Sequence, residues 1–305
     1  MSALHPLRLR QPVHKAARLD PGWTRELVAL AARTERAFAE GLRAVFAAGG
    51  AKISAAALEA ALRSHDAARA VAAAHPDLVA LGTAPVLEAE AAAATAAANL
   101  ELGKLAVGKR GLFVFNPSAP AMKQWLTKQA GARIVEINDA TREAVTALVK
   151  RAIEEGVHPY QAARTIKQSV GLTQRMANAA FNLDQRLAAE GVKDAARVKQ
   201  VAAYADRMRD LRAEMIARTE TMSALNQGRH QLRTQLVDEG ILPKDQRVRW
   251  RTGLDERVCE ICGPADGEEV EIGEEFSTGV ETAPAHPGCR CICTLVDMED
   301  DDESL

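Results

Sequence analysis

From residue 21 to about residue 48, the positions Leu27, Leu30, Ala31, Thr34, Ala37, Phe38, Leu42, Val45 and Phe46 recur at intervals of three and four. That is the spacing of one helical face, and it predicts an amphipathic helix ended by Gly49-Gly50. Residues 51–100 hold twenty-two alanines, and Ser54 ahead of a renewed apolar period predicts a capped second helix, with Pro76 and Pro85 as interruptions. Alanine lets helices approach closely but removes little apolar surface from water, so this stretch is expected to pack on other elements. Between Gly103 and Pro120 the pattern gives way to glycine, proline and a short apolar run at residues 112–115, predicting a linker with a short strand. Helical periodicity returns at about Ala121 and runs through Ile134, Ile137, Ala140, Ala144, Leu148, Ala152 and Ile153, closed by Gly156. His158-Pro159 opens another short helix that Gly171 stops.

The longest periodic stretch covers residues 194–239, with Tyr204, Met208, Leu211, Met215, Met222, Leu225, Leu232 and Leu236 at spacings of three, four and seven. One long helix, or two in line, is expected. Arg218 and Arg229 fall on the same stripe, where an arginine ordinarily snorkels or pairs with a carboxylate such as Glu214. After Gly240, residues 247–252 alternate as a strand does, and Asp266-Gly267 is a two-residue hairpin signal ahead of Glu269-Val270-Glu271-Ile272.

Composition agrees with a helical reading. Aromatics are 4% of 305 residues, and alanine and leucine carry most of the apolar content, which favours helix packing over a β-rich core. The predicted fold is mainly α, with multi-helix N-terminal and central regions and a small C-terminal β-containing (α+β), zinc-knuckle-like module. The expected organisation is a basic arm at 1–20, an Ala-rich helical region at 21–102, a linker at 103–120, a helical core at 121–240, a Cys/His module at 241–296 and an acidic disordered tail at 297–305. No run approaches the length of uncharged apolar sequence expected of a spanning helix, and the first twenty residues lack the apolar core of a signal peptide, so a soluble protein made in the cytoplasm is expected.

The formal charge of -2 hides an asymmetry: residues 266–305 hold thirteen acids and one base, leaving an excess of ten positive charges on residues 1–265. Such a split fits a body that faces nucleic acid, although solvated arginines on helix surfaces are its commoner source.

All five cysteines lie within 35 residues: Cys259 and Cys262 form a C-x-x-C, and Cys289, Cys291 and Cys293 a C-x-C-x-C, with His286 just upstream. Zinc takes four soft or borderline ligands in a tetrahedron, and two close pairs separated by a loop supply them by folding one knuckle against the other. Cys259 and Cys262 are the secure pair. The remaining ligands come from His286, Cys289 and Cys291, and more candidates stand there than four positions can use. Cys293 is the expected spare, buried as a small apolar side chain. A redox C-x-x-C would open a helix in a βαβ unit, which is absent, and an odd cysteine count in a cytoplasmic product disfavours disulfides. A structural rather than catalytic zinc follows, because there is no H-E-x-x-H and no His-x-Glu deaminase signature.

The glycine and lysine spacing of Gly103-Lys104-Leu105-Ala106-Val107-Gly108-Lys109 imitates a P-loop, but Arg110 stands where Ser or Thr must meet magnesium. No grouping of Ser, His and Asp marks a nucleophile.

Trp250-Arg251-Thr252, Asp255-Glu256-Arg257-Val258-Cys259-Glu260-Ile261-Cys262, Asp266-Gly267 and Pro284-Ala285-His286-Pro287-Gly288-Cys289-Arg290-Cys291 together resemble the C-terminal signature of the phage Mu F-like head morphogenesis (minor head protein) family. Glu155-Gly156, Ile216-Ala217-Arg218-Thr219-Glu220 and Asn226 resemble the pattern that precedes it, so the likeness covers roughly residues 121–296. The resemblance implies a minor structural component of a tailed-phage or prophage capsid, made in the host bacterial cytoplasm and located in the capsid interior or portal region. Its implied partners are the portal protein and other capsid or scaffold proteins, with packaged double-stranded DNA a candidate for the basic body, Arg8, Arg10, Lys15 and Arg18 included. It implies no reaction. The competing expectation is a DNA-modifying or toxin-like enzyme carried in the virion, using Arg218 and Glu220.

Overall fold

A computed structural model describes residues 24–105, 113–252 and 258–296. The basic arm, the acidic tail, most of the P-loop-like segment and Asp255-Glu256-Arg257 lie outside the described residues.

The first helix, α1 (Arg25–Lys52), starts where Thr24 accepts the Leu27 N–H at 3.3 Å. It does not stop at Gly49-Gly50. A Cβ on Gly49 would lie 2.5 Å from Leu78 Cδ2, so this glycine permits a close approach between helices, and the helix ends only at the extended Ile53. Ser54 caps α2 (Ala55–Arg63) as expected, accepting the Ala57 N–H at 3.2 Å. Asp66 caps α3 (Ala67–Ala74) and Asp77 caps α4 (Leu78–Lys104), so Pro76 does separate two helices. Pro85 does not end the helix: α4 continues through it and packs on α1 and on two helices later in the chain, α5 (Pro120–Glu154) and α8 (Asp194–Asp238).

Residues 113–116 form no strand. Phe115 is buried, and the Gln235 side chain stands in for a neighbouring strand: its Oε1 accepts the Asn116 N–H at 2.9 Å and its Nε2 donates to the Asn116 carbonyl at 3.1 Å. Next come α6 (Pro159–Gln168), α7 (Gln174–Ala189) and the single 45-residue α8. The sequence reading did not contain α7. Its cap is Thr173, and of its buried residues Ala177, Ala180, Phe181, Asp184 and Leu187 only Phe181 and Leu187 are large and apolar.

Most of the large apolar stripe of α8 faces inward, but Met215 is 60% exposed. The tight contacts lie on small residues instead. Ala213, Ala217 and Ala224 are fully buried, and a Cβ on Gly228 would meet the Ala94 carbonyl oxygen of α4 at 2.0 Å. Arg218 pairs with Glu35 of α1 at 3.3 Å rather than with Glu214, which Arg43 takes at 3.0 Å.

The three-stranded antiparallel sheet has the order β2-β1-β3, with β1 (Arg247–Arg251) between β2 (Glu269–Glu271) and β3 (Ile292–Leu295). Asp266-Gly267 is not the tip of a two-residue hairpin. Val248 pairs with Val270, so the whole C-x-x-C segment is spliced between β1 and β2, and Gly267 marks its return by donating its N–H to the Trp250 carbonyl at 2.9 Å. Asp266 closes the loop by accepting both the N–H (2.8 Å) and the hydroxyl (3.0 Å) of Thr252.

Two main cores result. Phe46, Leu58, Leu148, Ile166 and Phe181 lie in the helical one. Trp250, packed edge-on against Phe276, anchors the other with Val248, Leu295, Phe115 and the Leu232 and Leu236 end of α8. By length and mean hydropathy Ala67–Lys104 would pass as a membrane-spanning segment, although charged residues such as Asp77, Glu88 and Glu90 fall within it. Here the stretch is broken at Pro76, and Ala93, Ala94, Ala97 and Ala98 of its second part are buried against the protein.

Candidate metal centre

The structure brings together all five predicted ligand side chains. Cys259, Cys262 and His286 form one group and Cys262, Cys289 and Cys291 a second, each with its ligand atoms within 4.8 Å of one another, and Cys262 belongs to both. Cys293 lies outside both groups. It is buried in β3 opposite Trp250, and none of the five cysteines is in a disulfide.

The first half of the site holds its own shape. The Cys262 N–H points at Cys259 Sγ at 3.4 Å, and the Gly263 N–H returns to the Cys259 carbonyl at 2.9 Å, a turn that aims both sulfurs the same way. The second half arrives on the segment before β3, where Cys289 donates its N–H to the His286 carbonyl at 3.1 Å. His286 Nδ1 lies 3.0 Å from the Pro287 carbonyl. A carbonyl only accepts, so Nδ1 carries the proton and Nε2 presents its lone pair to the sulfurs. That Nε2 is 3.0 Å from Cys259 Sγ and 3.2 Å from Cys262 Sγ, while Cys262 and Cys289 Sγ are 3.7 Å apart. With Zn–S near 2.3 Å, a tetrahedron has S···S edges of about 3.8 Å, so the sulfur spacing fits a zinc-sized ion and the imidazole stands slightly close.

The electrostatics point the same way. Burial, then the neighbouring Cys289, push the Cys262 thiol up to about 12. A hydrogen bond from Cys291 brings Cys289 down to about 5 against its burial, and the same bond, with burial, raises Cys291. Burial opposes ionisation of Cys259, but the Cys262 N–H and thiol outweigh it and lower that thiol. Thiolates this close repel one another, and a cation in their midst is what lets several ionise together.

Sequence reasoning missed how the long helix engages this site. Thr219 Oγ1 accepts the Gly288 N–H at 3.0 Å, and Asn226 Nδ2 donates to the Cys291 carbonyl at 3.1 Å. Arg233 Nη2 donates to the Cys293 carbonyl at 2.7 Å, and Arg233 and Arg229 both clasp Glu101 of α4. Thr219, Asn226 and Arg233 follow one another at intervals of seven on the predicted helix, and that spacing was the available signal. Arg218 and Glu220 stand apart from the cysteines: Arg218 is bound to Glu35, and Glu220, 3% exposed, to Arg133 at 2.7 Å.

Residues 143–294, about half of the chain, match the family described as Phage Mu protein F like protein. Through this segment the chain belongs to the Phage Mu F-like family. The matched segment takes in the end of α5, all of α6, α7 and α8, and the Cys/His module nearly to the end of β3. No curated protein and no solved structure matches the chain significantly. The family is one of phage head morphogenesis, generally non-enzymatic, so the chain is read as a virion component with other capsid proteins as partners.

Proposed function

We propose that this protein is a minor structural component of a tailed-phage or prophage head, associated with the portal and needed for head morphogenesis or DNA delivery. A structural zinc, held by four of Cys259, Cys262, His286, Cys289 and Cys291, closes the module at 241–296 onto the helical core at 121–240. The observation that carries this reading is the convergence of those five side chains within a family of head proteins. Bound zinc would supply a cross-link between the knuckle and the segment before β3. Each half sits on its own short turn, and a cross-link of that kind closes a module too small to build a large core.

Elemental mass spectrometry on protein purified without added metal, with a free-thiol count, tests the metal. One zinc per chain with thiols protected until chelation is the expected result; five free thiols and no metal would remove it. Portal association is tested by co-purification with the portal protein of the same phage, and separate elution would count against it. Packaged DNA is the proposed contact of the positively charged body, and duplex binding that weakens steeply with salt is expected. Equal binding at low and high salt would sink that part.

A further inference from the structure

The two halves of the cysteine cluster are held differently. The C-x-x-C turn is closed by its own backbone, whereas residues 288–291, which lead into β3, are also bound by α8. Thr219 and Asn226 stand two turns apart on one face of that helix and bond to the backbone at Gly288, Cys291 and Cys293.

Each contact has a fixed polarity. The Thr219 hydroxyl gives its hydrogen to the Met215 carbonyl at 3.0 Å, so toward Gly288 it only accepts. Asn226 Nδ2 donates both to the Met222 carbonyl, at 3.0 Å, and to the Cys291 carbonyl, and its Oδ1 receives the Cys293 N–H at 3.4 Å. Thr219 is 8% exposed and Asn226 2%, so water does not compete for either.

We infer that Thr219 and Asn226 are positioning residues of the metal centre: they hold Cys289 and Cys291 within reach of Cys262, so that metal affinity depends on a helix that supplies no ligand. The inference rests on the reading of the cluster as a metal site. Groups that orient ligands without touching the ion typically change affinity by about 10- to 100-fold when removed. Arg233 is a poorer probe, since it also carries the buried pair with Glu101.

The test uses the full chain and zinc alone, with affinity read by competition against a chromophoric chelator. Thr219→Val keeps the shape and loses the acceptor; it should weaken zinc binding by about 10- to 100-fold. Thr219→Ser keeps the acceptor and should stay within about threefold of the parent, a small fraction of that range. Asn226→Leu should behave like Thr219→Val, and the threonine pair decides the matter if the leucine variant fails to fold. In the cobalt-substituted protein, Thr219→Val should shift the visible bands. A purely structural loss would lower the unfolding midpoints of the metal-free and zinc-loaded forms alike, whereas a positioning role narrows the gap between them. Parental affinity in Thr219→Val, or equal losses in the valine and serine variants, would overturn the inference while leaving the metal reading intact. A parent protein that takes up no zinc would bring down both.

Discussion

The crossing of α4 with α8 and the Cys/His module are stabilised in opposite ways. At the crossing Ala94, Ala97 and Ala98 face Gly228 and its neighbours, and the helices are as close as backbone atoms allow. A single added carbon at Gly228 has no room. In the module the contacts are sulfurs, an imidazole and directed hydrogen bonds from α8, which tolerate small changes of volume but depend on protons and on a cation. Alanine and glycine gain stability through proximity, and the small sheet adds valence and directionality to its own apolar core around Trp250. The two regimes meet at Glu101, where a carboxylate on the alanine-rich helix binds Arg229 and Arg233 beneath β3.

The largest effect is expected where valence dominates. Cys262→Ser removes the sulfur common to both ligand groups and should lose a large part of the metal-linked folding energy, which is on the order of 10 kcal/mol for a complete structural zinc site. Hydrogen exchange should rise across residues 247–296 while α1 to α7 stay protected; protection retained in the module would contradict the assignment.

At the joint, Glu101→Gln leaves two buried guanidinium groups with one neutral partner, at a cost of about 3 to 5 kcal/mol in chemical denaturation. Burial works against the Glu101 charge, but the two arginines overcome it and hold the carboxyl at about 2. Its folded value is therefore below its unfolded one, so the stabilisation is complete above the unfolded value of about 4.3 and is lost as pH falls from there toward 2. The glutamine variant should lack that part of the acid slope, and identical acid profiles would argue against the pair.

Two glycines sharpen the other side of the contrast. Gly228→Ala should cost about 3 kcal/mol, because the added carbon meets backbone rather than a movable side chain. Gly41→Ala, in α1 with nothing within 4 Å of the new carbon, should stabilise by up to about 1 kcal/mol. Thermal unfolding of the two variants, shifted in opposite directions, is the expected outcome; a shared sign would mean that the crossing is looser than its geometry.

Much of this was legible in the chain. Ser54 announced its helix, residues 194–239 announced the long one, and the five metal-ligand candidates were named from spacing alone. What escaped notice follows from the same physics. Gly49 reads as a stop because a local rule cannot see Leu78, and α7 hides because alanines at its buried positions add little to a hydrophobic period. Asp266-Gly267 imitates a tight turn because it ends a long excursion with the same backbone geometry that begins a short one. Thr219 and Asn226 carry no metal-ligand chemistry, and their task becomes visible only when residues 69 and 65 positions away fold onto them.

A helix of 45 residues is a rod of about 68 Å. In α8 the C-terminal half carries the cysteine module, α1 lies along the middle, and the N-terminal end meets α6 and α7. A sharp kink in such a rod would open its hydrogen-bond ladder, and α4 braces it at Gly228, toward the module end. Surfaces at its two ends are therefore held at a set separation, and a tug on either arrives at the other with little lost to compliance.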